Sequence, residues 1–293
     1  MFKKLIKYDL TSVWRLWWII LLTMPCATVV GSIAFRFTIG SSDSSNVVDI
    51  IVTIFSGLLG MACFMVIPVA GVLTAILVYV RFYKNLFSDE GYLTFTLPVS
   101  RRSIFFSKTL NAYIWFSLYG VLAFLCVCAA ALIIPPVNPG EGLLNPIVFE
   151  ELYDVFRVLI EGIKTESFIV IAWITLYLFE IMLIFAVSQF LTINIVHFCM
   201  TMGSVIVKKA KILAAIGIYY GISVISSFAT QIGLTIFTYG MSDQFVAYFN
   251  ASGSRAPTIV AMILFIIILA ISAVAAIFYC LTQWLIDRKL NLA

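Results

Sequence analysis

The run "IIVTIFSGLLGMACFMVIPVAGVLTAILVYV", Ile50 to Val80, contains no charged residue. About 20 apolar helical residues cross a hydrocarbon layer about 30 Å thick, so this stretch spans a membrane with length to spare. It is too short to cross twice, and the surplus predicts a helix that tilts or protrudes. Pro68 lies inside it and predicts a kink, because its ring has no N–H to donate and crowds the carbonyl four residues back.

Runs of the same character recur on either side. Taken with their charged flanks they predict six spans, at roughly 17–38, 50–80, 104–134, 167–198, 212–238 and 257–286. The composition agrees: 63% of residues are hydrophobic and 11% charged, against roughly 25% charged in soluble domains. The expected fold is an all-α polytopic membrane protein, one transmembrane domain over residues 1–293.

Basic residues set the orientation. Lys3, Lys4, Lys7, Arg15, Arg81, Lys84, Arg101, Arg102, Lys108, Lys208, Lys209, Lys211, Arg288 and Lys289 all fall on the side of the N-terminus. Only Arg36, Arg157, Lys164 and Arg255 fall opposite, where most carboxylates collect: Asp43, Asp49, Glu141, Glu150, Glu151, Asp154, Glu161, Glu166 and Asp243. Both termini are therefore expected in the cytoplasm, which requires an even number of spans. The apolar stretch after Arg15 is too long for the core of a cleaved signal peptide.

The opening "MFKKLIKYDLTSVWRLW" repeats Phe2, Leu5, Ile6, Leu10, Val13, Trp14 and Trp17 at helical spacing, with Lys3, Lys4, Lys7, Ser12 and Arg15 between them. An amphipathic helix over residues 1–16, lying in the membrane interface, is expected.

The polar segment after the long run reads "RFYKNLFSDEGYLTFTLPVSRRSIFFSK", Arg81 to Lys108. Ser88 is placed to cap a helix whose first turn carries Asp89 and Glu90, where the dipole favours negative charge. The residue before Pro98 avoids the α region, so the helix ends at about Thr96. Ser100 is placed as the cap of the next span. A short helix displaying Tyr92, Leu93 and Phe95 beside two acids suggests a docking surface.

Residues 135–166 form the largest segment on the opposite side. After a Pro/Gly-rich start, Val148, Leu152, Val155, Phe156, Leu159 and Ile160 recur at helical spacing, so an amphipathic surface helix is expected. Within the membrane, Glu180 stands near the centre of the fourth span. A carboxylate there costs on the order of 2.5–3.5 kcal/mol on insertion scales, so it should face other helices or a wet cavity. Gln189, Asn194, Asn111 and Gln231 are candidate neighbours. His197, the single histidine, is expected to anchor the cytosolic end of that span.

Catalytic patterns are missing. The sequence has no GxxxxGK[ST] phosphate loop and no HExxH, and one histidine cannot build a multi-histidine metal site. The six cysteines lie in or beside apolar runs, which implies packing and no disulfide framework. No enzyme activity, no cofactor in this chain and no nucleic-acid partner are expected.

The stretch "RFYKNLFSDEGYLTFTLPVSRRSIFFSKTLNAYIW" resembles a segment of bacterial ATP-binding-cassette (ABC) transporter permeases of the type-2 exporter class. Across the rest of the chain the resemblance is topological: a basic amphipathic start, six spans and cytosolic termini. It implies that residues 81–103 form the family's coupling segment, with Asp89, Glu90, Gly91, Tyr92, Leu93 and Thr94 seated on a separate ATPase subunit. Residues 1–16 would be the connecting helix. The partner would bind ATP and Mg, and a second permease subunit, identical or different, would complete the pathway in the bacterial cell membrane. Two further readings remain open on the residues: a stand-alone secondary transporter or channel using Glu180, and a membrane sensing or interaction protein.

Overall fold

A computed structural model of the protein describes residues 2–40, 47–87, 91, 96, 99–134, 157, 168–207, 210–236, 238–239 and 256–289. Among the described residues seven helices follow one another: α1 (Phe2–Gly40), α2 (Val47–Phe64), α3 (Val66–Phe87), α4 (Arg101–Ile133), α5 (Phe168–Ile206), α6 (Lys211–Ile236) and α7 (Ala256–Lys289). No strand occurs among the described residues. Six stretches are long and apolar enough to cross a membrane, with α2 and α3 together making one: Ile6–Thr38, Val47–Phe87, Arg101–Ile133, Ala172–Ile206, Lys211–Gly233 and Pro257–Arg288. The expected all-α, six-span architecture of a multi-pass membrane protein is therefore present.

The kink assigned to Pro68 appears as a break at Met65 between α2 and α3. The proline lacks the N–H that would bond Phe64 O, so the ladder is re-stitched around it, with Met65 N donating to Met61 O and Val69 N to Met65 O. At the N-terminus, α1 runs unbroken from Phe2 to Gly40, with Pro25 inside it. No boundary separates an interfacial helix over 1–16 from a span beginning at 17. The buried stripe along its first half is Asp9, Val13, Trp17, Ile20 and Met24, whereas Tyr8 and Trp14, one position round, are exposed.

The chain forms two compact units, with boundaries inside α3 and α4 and at the first residues of α1 and α5. The unit of Lys3–Arg81 and Ile114–Phe168 is held by glycines under aromatic rings. A Cβ on Gly60 would come within 2.7 Å of the Phe35 ring, and one on Gly31 within 2.8 Å of Cys63 Cβ. Such small residues let membrane helices approach closely enough for dispersion to hold them where water gives no hydrophobic drive. Thr38 and Ser56 share a 2.8 Å hydroxyl bond between α1 and α2. Tyr119 on α4 donates to Ile67 O at 3.0 Å and lies over Gly71. The rings of Trp17 and Trp115 meet at 5.0 Å, with Trp14 beside both.

The other unit comprises Met1–Phe2, Phe82–Tyr113 and Ile169–Ala293. Its core gathers Phe82, Leu86 and Phe87 from α3, Phe105 from α4 and Ile286 from α7, with Tyr83, Met200 and Tyr279 packed against them. All six cysteines of the chain are free, as their apolar settings imply.

Candidate functional site

Segment 81–103 leaves α3 and enters α4, and this core holds both of its ends. His197 on α5 lies flat against Phe82, ring centroids 3.8 Å apart at 10°, and takes the edge of Phe105 at 6.0 Å. Thr109 Oγ1 lies 3.4 Å from His197 Nδ1. The expected interface anchor is thus a fully buried core residue. The reason is length: α5 continues past the predicted end at 198 to Ile206, so position 197 lies among the other helices.

Two cations close the helix ends around the segment. The last carbonyls of a helix lack intrahelical donors and carry the negative end of its dipole. Lys211, first residue of α6, reaches Phe87 O at the end of α3 with its Nζ at 3.4 Å. Arg101, first residue of α4, directs Nη1 to Ile286 O and Asp287 O in the last turn of α7, at 3.4 and 3.5 Å. Arg102 Nε adds a 3.4 Å ion pair with Asp287, exposed and so of little energetic weight. Ser100 caps α4 as expected: its carbonyl accepts from Ser103 N and Ile104 N, and its hydroxyl meets that of Ser103 at 2.8 Å. Gly203 near the end of α5 lets α6 begin against it, since a Cβ there would lie 2.7 Å from Ala215 N.

Of the six residues expected to dock, only Gly91 is described; Asp89, Glu90, Tyr92, Leu93 and Thr94 lie outside the described residues. Gly91 is helical and buried, and its backbone folds back onto the end of α3. A Cβ there would lie 2.6 Å from Leu86 O, so any larger residue would displace main chain. Thr96 is helical and exposed. In the 135–166 segment only Arg157 is described, and it is helical and exposed; the amphipathic helix expected there otherwise lies outside the described residues.

Glu180 is buried within the Ala172–Ile206 span, and its Oε2 has no hydrogen-bond partner among the described residues. Trp173 and Tyr177 precede it on the same helical face, rings 6.1 Å apart, and Tyr177 donates to Pro257 O at 2.8 Å, tying α5 to the first turn of α7. None of the candidate neighbours is a described partner of Glu180: Asn194 donates to Phe190 O on its own helix, and Gln231 is exposed on α6.

Two buried ionisable groups escaped the sequence reading. Asp9 sits on the buried stripe of α1, at the i−4 position from Val13 that could have revealed it. Lys108, counted among the cytosolic charges, lies in the second turn of α4 and is buried beside Ser107 and Thr109. Among the described residues no cluster of His, Cys, Asp and Glu could hold a metal ion. Compared with known proteins, the chain matches no family model, no curated protein and no solved structure.

Proposed function

We propose that this chain is the transmembrane permease subunit of a bacterial ABC exporter, forming the substrate path while a separate nucleotide-binding subunit hydrolyses ATP. In this reading the N- and C-termini and segment 81–103 face the cytoplasm. The chain resides in the bacterial cell membrane, pairs with a second permease subunit, and receives the ATPase on Asp89, Glu90, Gly91, Tyr92, Leu93 and Thr94. ATP and Mg belong to the partner.

One observation carries most weight: the closed collar at the base of the segment. A docking element transmits force only if its ends are tied to the helices that must move. Here α3 ends in the Phe82–His197 core, α4 starts on Arg101 braced against α7, and α6 starts on Lys211 braced against α3. An ordinary connecting loop needs no such ties.

Affinity purification of the tagged chain in mild detergent, with mass spectrometry of co-eluting proteins, tests the proposal. An ATP-binding subunit should co-elute with the wild type and be lost in Glu90→Ala/Tyr92→Ala. Its absence from the wild-type preparation would overturn the reading. The unpartnered Oε2 of Glu180 favours the second reading, a transporter working alone through an intramembrane carboxyl.

A further inference from the structure

Trp173, Tyr177 and Glu180 occupy one face of α5, within about 60° of one another around the helix. They belong to one compact unit, together with the first turn of α7 to which Tyr177 bonds. On the other faces Leu176, Leu178, Phe179, Ile181 and Met182 are exposed apolar side chains that lipid accommodates. Glu180 is only 8% exposed, yet its Oε2 has no hydrogen-bond partner, and no lysine or arginine pairs with it among the described residues. Asp9, the other buried carboxyl among them, does interact with a neighbour.

A buried carboxyl left unmet is unfavourable in either form: the carboxylate lacks a counter-charge, and the neutral acid lacks an acceptor for its proton. The adjoining rings say what would meet it. An aromatic face carries partial negative charge and attracts a cation whose centre comes within about 6 Å. The rings of Trp173 and Tyr177 stack at 6.1 Å and 29°. The 2.8 Å bond from the Tyr177 phenol to Pro257 O fixes that ring before any ligand arrives. Along the axis Glu180 lies about 4.5 Å from Tyr177 and about 10 Å from Trp173, so one ligand can reach the carboxylate and both rings.

We infer that Trp173, Tyr177 and Glu180 form a binding site for a lipid-soluble organic cation, its charge at the carboxylate and its apolar groups along the two rings. A bare metal ion fits poorly, because hard cations take about six oxygen ligands and the described residues hold no cluster of acids here. An organic cation is weakly hydrated and needs only one counter-charge and an apolar wall. Glu180 stands about 12 Å along the axis from Ala172, where its span begins, so such a molecule reaches it from the bilayer. The inference names a class of cargo, and to that extent it rests on the reading of the chain as a transport pathway.

Binding is measured with neither ATPase nor ATP, so the site can fail while the permease reading stands. The purified chain in phosphatidylcholine nanodiscs is dialysed against tritiated tetraphenylphosphonium, with empty discs subtracted. The wild type should bind saturably. Glu180→Gln should bind at least tenfold more weakly, and Trp173→Leu about threefold to tenfold more weakly. Uncharged triphenylphosphine oxide should not compete. Phosphatidylethanolamine added to the discs separates two sources of the cation: displacement of the probe assigns a lipid ammonium, and no displacement a free molecule. Equal affinity in the wild type and both variants, competition by the uncharged analogue, or no saturable binding above empty discs would overturn the site. If Glu180→Gln fails to fold, Trp173→Leu decides alone.

Discussion

Phe82 and His197 lie face to face, 3.8 Å between ring centroids, and this stack ties the end of α3 to α5 beneath the segment that follows Phe87. Both rings are buried in the core that also receives Phe105 and Ile286. Truncating a buried aromatic costs about 3–5 kcal/mol, so Phe82→Ala should lower the apparent unfolding temperature in detergent markedly. His197→Phe preserves the stack and should lose no more than about 1 kcal/mol, the net worth of its contact with Thr109. A larger loss in the second variant than in the first would show that polarity, not stacking, is what this position supplies.

Gly91→Ala places a methyl against Leu86 O, a main-chain atom with little room to retreat. The expected cost is about 1–3 kcal/mol, borne where Gly91 meets the end of α3. Co-purification of an ATPase should therefore fall while the apparent unfolding temperature of the core changes less. Undiminished co-purification would remove Gly91 from the docking face.

Lys211→Met and Arg101→Met each remove a cation from a helix C-terminus, an interaction worth about 0.3–1 kcal/mol. Because they brace different helices, α3 and α7, the two effects on thermal stability should add within error in the double variant. Strong non-additivity would mean that the two braces act as one network.

Gly60→Val forces bulk into the Phe35 ring and should destabilise by about 1–3 kcal/mol, read as reduced yield of folded protein and a lower unfolding temperature. Gly233→Ala meets open space in a helix and should be neutral or stabilising, by up to about 1 kcal/mol. Equal losses would separate neither position by packing.

Glu180→Gln removes the capacity for charge and keeps the shape. With Oε2 lacking a described partner, stability should change by less than about 1 kcal/mol. The transport assay then separates the two readings: ATP-driven export that survives the change supports the permease, whereas complete loss of transport supports a carboxyl-based transporter.

The class of fold was legible from runs such as Ile50–Val80, because a bilayer demands length and apolarity from each segment independently of its neighbours. Pro68 announced its break and Ser100 its cap for the same local reason, a missing donor in one case and orphan donors in the other. The segment between Phe87 and Arg101 was legible as a charged interruption between two apolar runs. His197 was misjudged because its environment depends on how far α5 continues, and hydropathy marks where a helix can leave the membrane, not where it ends. Asp9 was hidden because the sequence gives several apolar stripes on α1, and burial by other helices selects among them.

Sequence alone thus determined what each segment could tolerate: which stretches belong in hydrocarbon and where chains of hydrogen bonds must break. Only the tertiary structure decided which side chains meet. The closing of Arg101 on α7, of Lys211 on α3 and of Phe82 on His197 joins residues 185, 124 and 115 positions apart. Contacts at that separation follow from the packing of whole helices, where rigid surfaces must interlock together, and no local pattern encodes that fit.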